Sequence, residues 1–182
     1  MQRILGMLIA LVFFVVGHTS SAQDSELFQR AQTGDSDAQV AVGNQYFQGN
    51  GVQKNEINAE IWYRKAAENG NAEAQMALGK LYHRGIVVNQ SYATAVQWWK
   101  KAAAQGNEQA PAFLAAAYLT GGGVPQSYSF AHMWFSVLSA GSYRSEYGSN
   151  AKDSIEVLMT PEEIADAKTM LIEFMDKQCR DC

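Results

Sequence analysis

Few residues in this chain could do chemistry together. Ser149-x-x-Lys152 sets a hydroxyl and an amine three positions apart, close enough on a helix for a lysine to take the proton of a serine nucleophile. The companion Ser-Asp-Asn and Lys-Thr-Gly elements that such a pair works with occur nowhere, so it reads as a chance match. Cys179-Arg180-Asp181-Cys182 is a Cys-x-x-Cys at the last residues of the chain. A reactive thiol of this kind sits at a helix N-terminus, whose dipole lowers its pKa. Here the pair follows the C-terminus of an expected helix, where the dipole has the opposite sign. A local disulfide between Cys179 and Cys182 is the favoured reading, with redox or metal chemistry as the alternative. Of the histidines, His18 lies in the amino-terminal apolar segment, and His83 and His132 have no histidine, cysteine or acidic partner at metal-ligand spacing. Both read as solvent-facing or packing residues. No catalytic set, metal or cofactor is expected.

The first 22 residues differ from the rest. Arg3 is followed by the apolar run Ile4 to Val16, and Ser20-Ser21-Ala22 places small residues where a signal peptidase cuts. The run is shorter than the roughly 20 residues a membrane span needs. A leader cleaved after Ala22 is expected, with an uncleaved anchor as the alternative. That places the mature chain in the periplasm or outside the cell, without a membrane span. The formal net charge is −4 over 182 residues, and no lysine- or arginine-rich run occurs. Nucleic acid is therefore not an expected partner. Asn89-Gln90-Ser91 is a glycosylation sequon, relevant in a eukaryotic host.

What would position any functional surface is a repeat. Shifted by 36 residues, the chain superposes on itself: Gly34, Gly70 and Gly106; Ala38, Ala74 and Ala110; Tyr46, Tyr82 and Tyr118; Gly49, Gly85 and Gly121; Ala59, Ala95 and Ala131; Trp62, Trp98 and Trp134. Three copies result, 34–69, 70–105 and 106–141. Ala74, Leu78 and Tyr82 recur at i, i+4 and i+8, which predicts a helix A over Asn71 to His83. Gly85 is its expected left-handed cap. Ser91 begins a helix B that runs to about Gly106, with Ala95, Trp98, Trp99 and Ala102 on its buried side. Asp35, Asn71 and Asn107 stand where helix A starts, and Asn55 and Ser127 match Ser91. Small residues where the helices cross, Ala74, Gly79 and Ala95, allow close approach, while Trp98 and Tyr82 supply bulk. The third copy departs from the pattern. Ala115 replaces a helix A glycine, Pro111 falls early in helix A, and Ser139-Ala140-Gly141 is expected to close helix B one residue early.

The combination Ala-x-x-x-Leu-Gly-x-x-Tyr, a glycine-bounded loop, and Ala-x-x-Trp-aromatic-x-x-Ala-Ala-x-x-Gly resembles the Sel1-like repeat, a longer relative of the tetratricopeptide repeat. The resemblance covers residues 34–141. It implies an all-α chain, an α/α solenoid wound as a right-handed superhelix, and a non-catalytic adaptor that binds a protein or peptide. On the concave surface such a superhelix would have, the helix A positions off the core stripe are Val40, Met76 and Ala112; Asn44, Lys80 and Ala116; Phe47, His83 and Leu119. They read either as a partner-binding groove or as packing against the neighbouring helix A. Relatives discussed as β-lactam binders keep a cell-envelope enzyme or β-lactam-interacting protein as the alternative function. A thiol-disulfide tail is a further alternative.

Solenoids need capped ends. Residues 23–33 are expected to form a capping helix in which Leu27 and Ala31 mimic helix B. Residues 142–178 supply the other cap. There a helix over 144–158 would face Ile155 and Leu158 inward. Thr160-Pro161-Glu162-Glu163 then opens a final helix with an apolar stripe of Ile164, Ala167, Leu171 and Phe174.

Overall fold

The computed structural model describes residues 24–180, which hold helices and no strand. The expected leader and Cys182 lie outside these residues, and with them the expected cleavage and the expected disulfide. The architecture is an all-α solenoid built of helical hairpins. The elements are α1 (24–32), α2 (Ser36–Gln48), α3 (Glu56–Glu68), α4 (Ala72–Arg84), α5 (Tyr92–Ala104), α6 (Ala110–Thr120), α7 (Tyr128–Ala140), α8 (Ser145–Glu156) and α9 (Pro161–Arg180). The described residues divide into two compact units, which meet in sequence between residues 66 and 67.

Each hairpin is delimited as its residues require. The side chains of Asp35 and Asn71 accept the backbone N–H of Ala38 and Ala74 at the starts of α2 and α4. Asn55, Ser91 and Ser127 do the same for Asn58, Thr94 and Phe130. Gly49, Gly85 and Gly121 end every helix A at positive φ, a conformation without a Cβ penalty. The loop then closes in the same way three times. Asn55 donates its N–H to Tyr46 O at 2.8 Å, Ser91 to Tyr82 O at 3.0 Å, and Ser127 to Tyr118 O at 2.9 Å.

In the first unit, Ala31, Ala38 and Val42 form the buried centre, with Leu27, Phe28, Tyr46 and Trp62 packed against it. Ala31 stands in register with Ala67 and Ala103, so α1 takes a helix B place, as its residues imply. In the second unit the elements pack in chain order, α4 on α5, α5 on α6 and α6 on α7, and α7 also meets α8 and α9. Met76, Ala95, Trp99, Leu114, Ala131, Trp134 and Leu138 belong to one continuous core.

The crossing of α4 and α5 depends on Gly79. A Cβ there would overlap the indole Nε1 and Cδ1 of Trp99, so the helices can approach only with hydrogen at that position. Trp99 rather than Trp98 therefore supplies the buried bulk. Trp98 stays half-exposed with the Lys101 ammonium over its ring at 4.4 Å. Ala74 and Ala95 are fully buried as expected.

The third copy departs differently from its expected form. Its helix B is full length, 13 residues like α5; its helix A is the short one, with 11 against 13. Gln39 and Gln75 donate their backbone N–H to Asp35 O and Asn71 O, closing the first turn of α2 and α4. Pro111 occupies that position and has no N–H to give. The Asn107 side chain still caps Gln109 and Ala110, as Asp35 caps Asp37 and Ala38, but regular helix starts only at Ala110.

At the carboxyl end Thr160 and Glu163 form the expected capping box, each side chain accepting the other's backbone N–H at 2.8 and 3.2 Å. Ala167, Met170, Leu171 and Phe174 pack on the core, and Phe174 meets Trp134 edge-on at 5.0 Å. Two expectations are corrected here. Ile155 is buried, but Leu158 is 63% exposed because α8 ends at Glu156 and leaves it in the turn. Cys179 is exposed and lies within α9, which runs two residues beyond the expected boundary at 178. No described helix is long and apolar enough to cross a membrane.

Candidate functional site

The helix A positions nominated for partner binding separate into two groups. Val40 and Met76 are only 4% and 2% exposed. Met76 belongs to the core with Leu114 and Trp99. These two are packing residues, since the Ala–Leu stripe alone is too narrow to fill the space beside helix A. They are not available to a partner. The others reach the surface to some degree. Asn44 is half-buried and accepts the Tyr63 hydroxyl at 2.7 Å, and Phe47 is half-buried with Lys54 Nζ 5.9 Å from its ring. Lys80, Ala112 and Leu119 are half-buried, and His83 and Ala116 are exposed.

In the second unit the surface around His83 and Ala116 is concave. An open cavity of about 420 Å³ is lined by His83 of α4, Tyr92 and Trp99 of α5, Phe113, Ala116, Ala117 and Thr120 of α6, and Gly122. Its rings pack against one another edge-on or tilted, without parallel stacking. His83 lies 5.2 Å from Tyr92 and 5.5 Å from Trp99, and Trp99 lies 4.9 Å from Phe113. Lys80 reaches along the same wall. Its Nζ donates to Gln109 Oε1 at 2.8 Å and stands 5.6 Å from the Phe113 ring centre. Burial is the main cause that lowers the Lys80 pKa, followed by the charge of Arg84, with Glu73 opposing.

Such a site presents flat apolar faces with a cationic edge, the features of a recess for a side chain of another molecule. Of the nominated residues it unites Lys80, His83 and Ala116. It adds Tyr92, Phe113 and Thr120, which the periodicity did not single out. Phe113 carried a signal nonetheless, because the other copies have Ala41 and Ala77 at that position.

Of the residues weighed for chemistry, His83 lines this cavity, and His132, Ser149 and Lys152 are not among its lining residues. His132 is 3% exposed, and its Nε2 pairs with Glu156 Oε1 of α8 at 2.6 Å, while Nδ1 is buried with no hydrogen-bond partner among the described residues. It is a packing residue, as expected, with a partner that local spacing did not show. The hydrogen bond from His132 is the chief reason the Glu156 carboxyl titrates below the ordinary range. Ser149 lies on α8, and the Lys152 ammonium is 3.5 Å from Asp153.

Comparison with known proteins points to one family. The Sel1 repeat matches residues 36–71, 72–107 and 110–137. Among curated proteins nothing matches. Among solved structures, the chain is similar to a Sel1 repeat protein from Oxalobacter formigenes, with 33% identity and a TM-score of 0.62 over 64% of this chain and 48% of that one. It is also similar to c5321, a protective antigen of uropathogenic Escherichia coli strains with an SLR fold. There the identity is 25% and the TM-score 0.56, over 87% of this chain and 41% of that one. The chain thus spans less than half the length of either structure.

Proposed function

Because this chain belongs to the Sel1 repeat family, whose members generally mediate protein–protein interaction, we propose that it is a non-catalytic adaptor that captures a protein partner through the α4–α6 cavity. The observation that carries this reading is the open, ring-lined recess of about 420 Å³. An aromatic or aliphatic side chain placed there would be largely desolvated, the setting in which interface anchors contribute most. The leader read in the first 22 residues supports a site of action in the periplasm or outside the cell.

Capture from the native cell envelope with immobilised protein tests the reading. Ala116 is exposed on α6, so Ala116→Arg fills the recess without disturbing the core. A protein retained by the wild type and lost by Ala116→Arg, with circular dichroism unchanged, is the expected result. An identical set of captured proteins would move the binding surface elsewhere.

A further inference from the structure

What the three copies share serves the repeat fold; what one copy alone carries answers to something else. Lys80 stands in register with Asn44 and Ala116, His83 with Phe47 and Leu119, Arg84 with Gln48 and Thr120, and Phe113 with Ala41 and Ala77. No other copy has a basic residue at the first three positions or a ring at the last. These four departures come together in space. Phe113 and His83 both line the cavity, Lys80 Nζ stands over the Phe113 ring, and the Arg84 charge is felt by Lys80. A lysine and a histidine thus edge a recess whose walls are rings, and Arg84 follows in the last turn of α4, four residues after Lys80 and so on the same side of the helix. Among the described residues Glu73 is the carboxylate that acts on Lys80, and the group that receives the Lys80 ammonium is the neutral amide of Gln109.

Resting on the adaptor reading above, we infer that the α4–α6 cavity selects an acidic segment of its protein partner that carries an aromatic side chain. The partner's ring enters among His83, Trp99 and Phe113, and a neighbouring carboxylate meets Lys80 and Arg84. Charge decides between the possible occupants. A basic segment would be repelled by Lys80 and Arg84, and a neutral one would leave the partly desolvated Lys80 ammonium with only an amide acceptor. A carboxylate offers that ammonium a charge-assisted bond. In the free protein, burial and Arg84 both disfavour the charged form of Lys80, and an acidic partner offsets both.

The test uses the full chain and a fluorescein-labelled heptapeptide, Gly-Asp-Glu-Phe-Glu-Asp-Gly, followed by anisotropy. Two comparison peptides replace the acids with lysine or the phenylalanine with alanine. Saturable binding of the acidic aromatic peptide is expected, with affinity that falls as salt is raised. Binding should weaken by about tenfold or more for either comparison peptide, for the double variant Lys80→Gln/Arg84→Gln, and for Phe113→Ala. Each charge variant keeps a long polar side chain at its position, and circular dichroism checks that the helices are unchanged, so they decide the matter even if Phe113→Ala is unstable. Equal binding of acidic and basic peptides, unchanged binding by Lys80→Gln/Arg84→Gln, or no saturable binding would each overturn the inference. If the envelope partner is lost by Ala116→Arg but retained by Lys80→Gln/Arg84→Gln, the adaptor reading stands and the acidic specificity falls.

Discussion

The side-chain amide of Gln178 donates to the carbonyl of Ala103 at 3.2 Å and to that of Ala104 at 2.9 Å. Ala103 stands in register with Ala31 and Ala67, whose carbonyls receive the side chains of Gln39 at 3.1 Å and Gln75 at 3.2 Å. In the third copy the donor position is Pro111, which has no side-chain amide. Helix α9 returns to supply the missing bond from 75 residues away in sequence.

Gln178→Ala should therefore cost about 1 kcal/mol, the usual net worth of such a bond. Pro111→Gln restores the donor within its own copy, and in that background Gln178→Ala should be nearly neutral. Urea unfolding of the four proteins gives the coupling between the two sites. Strictly additive effects would show that they do not serve the same acceptor.

Gly79 gives a second expectation, one that helix propensity alone gets wrong. Alanine is the better helix former by about 1 kcal/mol, yet a methyl at this position overlaps the Trp99 indole. Gly79→Ala should destabilise the protein by about 1–3 kcal/mol. Adding Trp99→Phe should return part of the loss, because the third copy pairs Ala115 with Phe135 at the same register and buries both. Denaturant midpoints decide it, and a Gly79→Ala protein as stable as wild type would refute the packing.

Acid should loosen the ends of the array. Glu156 is held below the ordinary carboxylate range first by its hydrogen bond from His132, with Lys152 and Lys168 adding to it. Asp35 is lowered chiefly by the Ala38 N–H and then by Arg30. A carboxyl whose folded pKa is depressed contributes stability that is complete above its unfolded pKa, and loses it as the pH falls through the folded value. Melting temperature should thus decline below about pH 4. Glu156→Gln should lower it at neutral pH and flatten the acid limb. An acid limb unchanged in Glu156→Gln would mean that other groups set it.

Val87 lies at φ 68 in the loop after α4, in register with Gly51 at φ 73 and Gly123 at φ 82. A β-branched residue in the left-handed region costs about 1–2 kcal/mol, and the exposed Val87 side chain recovers little of it. Val87→Gly relieves that strain while adding unfolded-state entropy. A net gain of about 0.5 kcal/mol is expected, visible as a higher melting temperature. A lower one would show that the valine makes a contact worth more than its strain.

The legible part of this fold was local. Asp35, Asn71, Ser91, the glycines after each helix A and the Thr160–Glu163 box all act within a few residues, so their chemistry is visible in the chain. What depended on neighbouring hairpins was not. Trp98 and Trp99 are adjacent on one helix, and only the position of Gly79 across the crossing decides which of them turns inward. Val40 and Met76 occupy a face that local periodicity leaves ambiguous, because packing beside helix A or openness to solvent is settled by other elements. His132 and Glu156 are 24 residues apart, joined through a turn in which Arg144 adopts a left-handed conformation. The cavity lay between these extremes. Its shape needed three helices in place, although the chain does carry Lys80, His83 and Phe113 where the other copies have neither a basic residue nor, at the last position, a ring.

The match between Gly79 and Trp99 bears on how such chains can change by recombination. Volume is balanced across each hairpin, glycine facing a large ring and alanine a smaller one, so the heritable module is the pair of helices. Transplanting α6 into the place of α4 would drive a methyl group into an indole, and the reverse exchange would leave a void beside Phe135. Shuffling whole hairpins keeps every ring with the partner sized for it, and breakpoints that fall in the loops between hairpins should be tolerated where breakpoints inside a hairpin are not.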